Sequence, residues 1–121
     1  MDYSPEYIKM ILALPKSMRE EPAEGDYFYN LLTGDKGKLG EVYFDTSKMI
    51  KLYEQDQLQE MAFSSTSGTD HKMIRELNIF YDYWDTNGIP TIFFTWEQLW
   101  LAFVMHENHG MVWINDKWEV K

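Results

Sequence analysis

Cysteine is absent from the 121 residues of the sequence. Its absence excludes disulfides, thiolate metal ligands, iron–sulfur clusters and cysteine nucleophiles, and it is compatible with a reducing compartment. Long hydrophobic runs are missing as well, since the longest unbroken run, residues 99–105, is far shorter than the ~20 residues that cross a bilayer. The first residues lack the basic start of a secretory signal. We therefore expect a cytoplasmic protein that does not bind membranes.

Basic residues are scarce, because 11 lysines and arginines stand against 20 acidic residues and leave a net charge of −9. The acidic residues are spread along the chain and form no tail. Such a balance disfavours direct binding of nucleic acid, which depends on clustered positive charge that neutralises phosphate. Two interpretations stay open: the acidic surface keeps the protein soluble, or it offers carboxylates to a basic partner.

Valine is also scarce, whereas the chain has eight tyrosines, seven phenylalanines, five tryptophans and eight methionines. Each aromatic side chain can bury ~150–250 Å², and a folded chain of this length buries roughly two-thirds of its unfolded surface. The rings could all lie in a small core. Alternatively, so many large rings are difficult to bury, and some of them form a binding surface.

The N-terminal half predicts one helix followed by extended segments. Ser4 is the expected helix cap, Pro5 the first helical residue and Pro15 the terminator, with the buried face formed by Ile8, Ile11 and Leu12. Residues 16–25 are predicted to connect the helix to the strands. The strands are predicted at residues 26–32, 41–44 and 49–53, and the first two form a hairpin around a glycine-rich turn.

The C-terminal half predicts helices and a second hairpin. A short helix is expected over residues 54–62, an exposed loop over 63–69 and a long helix from Asp70 to the Asn87-Gly88 stop. The last helix has the clearest limits, Thr95 and Gln98 as a capping box and Gly110 as the terminator, with Trp96, Leu99, Trp100, Phe103 and Val104 on its buried face. Residues 111–120 alternate around Asn115-Asp116, which predicts a hairpin.

These segments predict the α+β class, with two to three helices packed on small antiparallel sheets built from hairpins. The length predicts a single domain over residues 1–121.

Candidate catalytic groups are few. His106 and His109 are three residues apart near the end of a helix, a spacing that places both rings on one face, as a pair of metal ligands requires. Their third ligand would come from Glu107, Asp116 or His71. Histidines in a last helical turn are also favoured because they complement the helix dipole. We expect no metal and no cofactor, with this pair as a weak candidate only.

Two other chemistry-bearing segments have simpler interpretations. Residues 34–39 have only two residues between their glycines and a leucine after the lysine, so they fit a hairpin turn and not a phosphate-binding loop. Ser64, Ser65 and Ser67 lie beside Asp70 and His71, but closeness in sequence does not provide the geometry of a catalytic triad.

Two segments are similar in sequence to a known group of proteins. They are residues 55–61, QDQLQEM, and residues 96–107, WEQLWLAFVMHE, which continue to Gly110, Trp113 and Trp118. Both resemble segments of small uncharacterised proteins of phages and prophages of Gram-positive bacteria. The resemblance implies a mobile-element protein that acts inside a bacterial host, and it assigns no activity to any residue.

These observations predict a small non-enzymatic protein that binds a host or phage protein through aromatic and acidic side chains, for example as an inhibitor. Asp82, Tyr83, Trp84 and Asp85 are adjacent near the end of one predicted helix and form the candidate binding site. One alternative is a particle-assembly protein whose aromatic surface makes a homo-oligomer. The other is a metal-dependent enzyme that uses His106 and His109.

Overall fold

The computed structural model describes residues 1–40, 46–66, 75, 77–80 and 95–120, with the backbone alone for residues 63–66. It contains helices and two small antiparallel sheets of three and two strands, so the predicted α+β class is confirmed. The chain divides into two compact units, Met1–Glu54 and Gln55–Lys121. That the whole chain is one domain stays a prediction.

Helix α1, Pro5–Leu12, begins as its sequence predicts. The hydroxyl of Ser4 accepts a hydrogen bond from the backbone N–H of Tyr7, and Pro5 occupies the first turn, where its missing N–H costs nothing. The buried face differs from the predicted one: Leu12 is only half-buried, whereas Tyr7 and Met10 are completely buried beside Ile8 and Ile11. The prediction overlooked them because tyrosine and methionine are ambiguous between core and surface.

A single 3₁₀ turn, Lys16–Met18, follows α1 and lies in the predicted connection. The hydroxyl of Tyr53 donates a hydrogen bond to the Met18 carbonyl oxygen at 2.7 Å, which fixes this turn. Tyr7 donates to the Tyr53 carbonyl oxygen at 2.6 Å. The two tyrosines thus connect α1, the turn and the end of the sheet through buried or partly buried hydrogen bonds.

The first sheet has the strand order β2-β1-β3, with β1 Tyr27–Asn30, β2 Lys36–Lys38 and β3 Met49–Leu52. Both neighbours pair with β1 in antiparallel register, Tyr29 being opposite Lys36 on one side and opposite Ile50 on the other. The predicted third strand is therefore confirmed.

The hairpin partner of β1 lies earlier in the chain than the sequence predicts. β2 lies in the glycine-rich stretch that was interpreted as the turn, and residues 41–44 lie outside the described residues. The chain already reverses after β1, because the side-chain oxygen of Asn30 accepts hydrogen bonds from the backbone N–H groups of Leu32 and Thr33. Gly34 completes the turn with a φ of +77°, a value that favours glycine.

Helix α2, Gln55–Thr66, extends further than predicted. Leu58 and Ala62 are buried as expected, but the backbone of residues 63–66, assigned to an exposed loop, continues the helix. Serine and threonine have low helix propensity, and contacts of α2 with the last helix override that weak preference. Residues 67–69 of the predicted loop lie outside the described residues.

The predicted long helix is described only in part. Its backbone is helical at Arg75 and at residues 77–80, where Leu77 and Phe80 are buried and Ile79 is exposed. The predicted stop at Asn87-Gly88 lies outside the described residues.

Helix α3, Trp96–His109, has both predicted ends. The Thr95 hydroxyl accepts a hydrogen bond from the backbone N–H of Gln98 at 3.2 Å, and Gly110 terminates the helix with a φ of +65°. Residues 100–105 are all buried, so this part of the helix is covered on every side. Two residues of the predicted buried face differ: 60% of the Trp96 surface is exposed, and Leu99 is only half-buried.

Strands β4, Met111–Ile114, and β5, Lys117–Val120, form the predicted second hairpin. Its turn residues, Asn115 and Asp116, have φ values of +53° and +62°, as a type I′ turn requires. This turn places Trp113 opposite Trp118, with ring centroids 5.0 Å apart.

Candidate interaction surface

The four residues predicted to bind a partner, Asp82, Tyr83, Trp84 and Asp85, lie outside the described residues. Their role stays a prediction. The described part of the chain contains other large apolar side chains that are exposed, and these are Leu31, Leu32, Ile79, Trp96 and Val120. Among them, Leu31 and Leu32 are consecutive, so two exposed apolar side chains lie at the same turn.

The histidine pair lies at the end of α3 as predicted. The His106 ring lies 5.1 Å from the Phe80 ring, and its Nδ1 is 3.1 Å from Oε1 of Glu107, whereas His109 is exposed. No group of three potential metal ligands occurs among the described residues. His71, one of the candidate third ligands, is not among them. The position of His106 thus has a packing explanation that needs no metal.

Aromatic rings in the described parts of the chain divide evenly between core and surface. The buried rings are those of Tyr7, Tyr53, Phe80, Trp100, Phe103 and Trp113. The half-buried rings are those of Tyr3, Tyr27, Phe28, Tyr29 and Trp118, while Trp96 is exposed. Four of the five half-buried rings lie on β1 or contact it. Most of the half-buried rings among the described residues therefore lie in the first unit.

Three consecutive aromatic residues of β1 point to alternating sides of the sheet. Tyr27 and Tyr29 share one side with the buried Leu52 and Ile50 of β3, which are directly opposite them. Phe28 lies on the other side. All three rings are only half-buried although β1 is the central strand, so neither side of the sheet is completely covered at these rings.

Tyr27 is partly covered by two neighbours. The Tyr3 ring meets it edge-on with centroids 6.0 Å apart, and the Lys38 ammonium lies 5.8 Å from the Tyr27 ring centre. Burial, and to a smaller extent the neighbouring Tyr27, raises the pKa of Tyr3. Lysine covers an aromatic ring with flexible methylene groups and keeps its charge in water, so this cover can move aside when a partner binds.

The residue opposite Phe28 on β2 has no side chain to cover the Phe28 ring. Phe28 is opposite Gly37 of β2, and a Cβ atom at that position would lie 3.8 Å from Cε1 of the Phe28 ring. Because glycine has no side chain, this edge of the ring stays uncovered. A side chain from another molecule can therefore contact Phe28 over Gly37.

Lys51 lies on the Phe28 side of the sheet and holds two carboxylates. Its Nζ is 3.6 Å from Oε2 of Glu20 and 3.8 Å from Oδ2 of Asp26, and it lies 5.4 Å from the ring centre of Tyr53. Burial, followed by the negative charges of Glu20 and Asp26, raises the pKa of Tyr53 to about 12. Both carboxylates thus already interact with the ammonium group of Lys51.

The turn after β1 presents two leucines on a fixed backbone. Leu31 is 51% exposed and Leu32 is 75% exposed. The Leu31 N–H donates to the Lys48 carbonyl oxygen at 2.8 Å, and the Leu32 N–H donates to the side chain of Asn30 at 2.9 Å. The leucines are therefore held outward by hydrogen bonds, and their exposure does not result from a loose chain.

We name the side chains of Tyr27, Phe28, Tyr29, Leu31 and Leu32 the hairpin surface. The sequence reasoning placed these residues in a strand but did not recognise them as an exposed site. One signal was present, because two leucines directly before Thr33 and Gly34 lie too close to a turn for both to be buried.

Comparisons with known proteins give no relative: no family model, curated protein or solved structure matches the chain. None of the helices that the structure describes is long and apolar enough to cross a membrane.

Proposed function

We propose that the protein is a non-catalytic interaction module that binds another protein through the hairpin surface. The carrying observation is the pair of outward leucines on a hydrogen-bonded turn, which directly follows a central strand whose three rings are half-buried. An exposed apolar group of this kind is typical of protein interaction sites. The partner would be a phage or host protein in the bacterial cytoplasm, as the sequence resemblance implies.

The rigid turn supports binding because it lowers the entropy lost on association. The backbone N–H of Leu31 donates to the Lys48 carbonyl oxygen, next to β3, and those of Leu32 and Thr33 donate to the Asn30 side chain, so little backbone freedom is left to lose. Burying the exposed part of each leucine contributes about 1–2 kcal/mol. The aromatic rings then supply the larger contact area.

The excess of acidic residues supports a protein and not a nucleic acid as the partner. The carboxylates of Glu20 and Asp26 already interact with Lys51, the residue opposite Phe28 on β3. They have less charge to offer a basic partner than an isolated pair. The apolar side chains therefore provide most of the proposed affinity, and inhibition would occur by covering the partner's functional surface.

The test compares three baits made from the full chain. Wild type, the double variant Leu31→Ser/Leu32→Ser and the control Val120→Ser are used to isolate partners from a bacterial lysate. Val120 is 79% exposed but lies on β5 in the other unit, so its substitution removes exposed apolar surface that is not part of the hairpin surface. Affinities for each identified partner are then measured by calorimetry.

We expect the double variant to bind the partner at least about 10-fold more weakly, while Val120→Ser binds like wild type. The proposal is wrong if an identified partner binds all three proteins equally. Folding of each variant is checked by circular dichroism.

Self-association is a second candidate, and the same exposed leucines favour it. In that case the hairpin surface would be the contact between copies, as in a particle-assembly protein. Sedimentation of wild type at roughly 10–100 μM, a range in which weak associations with Kd in the micromolar range are populated, would show oligomers that the double leucine variant lacks. A monomer throughout this range would contradict the candidate.

A further inference from the structure

Strand β2 is an open edge of the first sheet. Phe28 and Gly37 are opposite each other, and hydrogen bonds on both sides of them join Leu39 to Asp26 and Asn30 to Asp35. In an antiparallel sheet, hydrogen-bonded residue pairs alternate with pairs that do not bond to each other, so Phe28 and Gly37 form a hydrogen-bonded pair. The residues on either side of Gly37 therefore direct their backbone N–H and C=O groups away from β1. These residues are Lys36 and Lys38. Both are exposed, and nothing within the described ranges bonds to these outward groups.

The opposite edge of the sheet differs. On β3, the backbone N–H of Lys51 donates to the Glu20 carbonyl oxygen at 2.8 Å, and the N–H of Met49 donates to the Thr46 carbonyl oxygen at 3.0 Å. That edge is already used by the protein itself. As far as the described residues show, β2 is the edge whose outward backbone groups can accept another strand.

The side chains of β2 select which strand can be added. Lys36 and Lys38 project on one side of the sheet, and Gly37 lies between them on the other. If a second copy paired antiparallel around Gly37, each lysine would lie opposite a lysine, which is unfavourable. A strand with carboxylates two residues apart would instead place each acid opposite a lysine. Its middle residue would lie over Gly37 and contact Phe28.

We propose that the β2 edge binds an extended segment of another protein in which two acidic residues flank one large apolar residue. The segment adds to the sheet as a strand beside β2, with backbone hydrogen bonds to Lys36 and Lys38 and apolar contact to Phe28. This inference rests on the proposed function, because it takes the β1–β2 hairpin as the binding element. It names the chemistry of the partner.

The lysines can meet carboxylates without leaving their present contacts. The Lys36 ammonium donates to the Tyr3 carbonyl oxygen at 3.3 Å, and the Lys38 ammonium lies over Tyr27. An ammonium has three N–H donors, so each lysine has further donors for a carboxylate.

The test uses the full ¹⁵N-labelled chain and a synthetic peptide, acetyl-Thr-Glu-Ile-Glu-Thr-amide. We expect saturable chemical-shift changes and slowed hydrogen exchange at the amides of Lys36 and Lys38, whereas the amide of Gly37, which is already bonded to β1, changes less. A matched peptide with lysine at both glutamate positions should bind roughly threefold to tenfold more weakly.

Two substitutions of Lys38 distinguish the contribution of its backbone N–H group to peptide binding from that of its charge. Lys38→Pro removes an outward N–H and leaves the bonds between β1 and β2 in place, whereas Lys38→Gln keeps the N–H and removes the charge. We expect about tenfold weaker binding for the proline variant and a smaller loss for the glutamine variant. If the proline variant does not fold, Lys36→Glu/Lys38→Glu replaces it and should reverse the preference between the two peptides.

Two results would overturn the edge proposal. One is the absence of any shift at Lys36 and Lys38 at millimolar peptide. The other is a set of shifts confined to Leu31 and Leu32, since the peptide would then bind the turn and not the edge. The second result leaves the proposed function intact. Conversely, if the peptide binds the edge but Leu31→Ser/Leu32→Ser does not weaken partner binding, the proposed leucine site alone is wrong.

Discussion

The hydroxyl of Tyr7 is expected to stabilise the first unit measurably. Tyr7 is completely buried, and its hydroxyl donates a hydrogen bond of 2.6 Å to the carbonyl oxygen of Tyr53. Tyr7→Phe removes one oxygen and keeps the ring, so it creates almost no cavity. It leaves a buried carbonyl group without this donor, which costs about 1–2 kcal/mol.

Urea unfolding followed by far-UV circular dichroism measures this cost, and thermal unfolding should show a melting temperature lower by roughly 3–6 °C. Tyr29→Phe is the matched control. The Tyr29 ring is half-buried, and its hydroxyl makes no hydrogen bond to the described residues, so we expect a change within about 0.5 kcal/mol. Equal stabilities of the two variants would refute the importance of the Tyr7 hydrogen bond.

Tryptophan fluorescence extends the same experiment to the domain organisation. All five tryptophans lie between residues 84 and 118, within Gln55–Lys121, whereas Tyr7 lies in Met1–Glu54. The predicted single domain requires fluorescence and circular dichroism to shift together in Tyr7→Phe. A shift in circular dichroism alone would mean that the two units unfold separately.

Two further predictions concern particular residues. Since burial and the charges of Glu20 and Asp26 raise the pKa of Tyr53 from 10.0 to about 12 in the folded protein, the stabilisation from its neutral phenol is complete below pH 10 and is lost as the pH rises towards 12; Tyr53→Phe should remove this pH dependence of urea unfolding, and an unchanged dependence would contradict it. Gly110→Ala should lower the free energy of unfolding by about 1 kcal/mol, because φ at this position is +65° and no atom lies within 4 Å of the added methyl group. Gly40→Ala is the control, since its added methyl group is equally unobstructed and its φ is not positive, and it should be nearly neutral. Equal melting temperatures of the two variants would show that the backbone conformation is not the cause.

Sequence predicted the structure best where neighbouring residues determine it. Ser4 and Thr95 cap helices by accepting backbone hydrogen bonds from residues three positions later, and Gly110 terminates α3 with a left-handed conformation. The turn at Asn115-Asp116 likewise fixes the register of its hairpin. Each of these features depends on a few consecutive residues, whose chemistry is visible in the sequence.

Prediction failed where contacts between distant residues decide. Residues 63–66 are helical although serine and threonine disfavour it, because α2 lies along α3. One failure has a local cause: the sequence predicts the hairpin partner of β1 after the glycines, whereas the Asn30 side chain reverses the chain earlier through bonds to Leu32 and Thr33. Exposure of Leu31 and Leu32 also depends on which sides of the sheet are covered, and the turn residues directly after them are only a weak local signal of it.

The two hairpins show why the aromatic excess has different consequences in the two units. In the second hairpin, Trp113 contacts Trp118 and is buried, as expected for a strand that packs against a helix. In the first, Phe28 is opposite a glycine and Tyr27 is partly covered by Tyr3 and Lys38, and both rings are half-buried. A central strand gains stability from complete burial, so incomplete burial of three consecutive rings is an unused source of contact energy. A partner strand beside β2 would use the part of it that belongs to Phe28, which makes the first unit the place to look for binding.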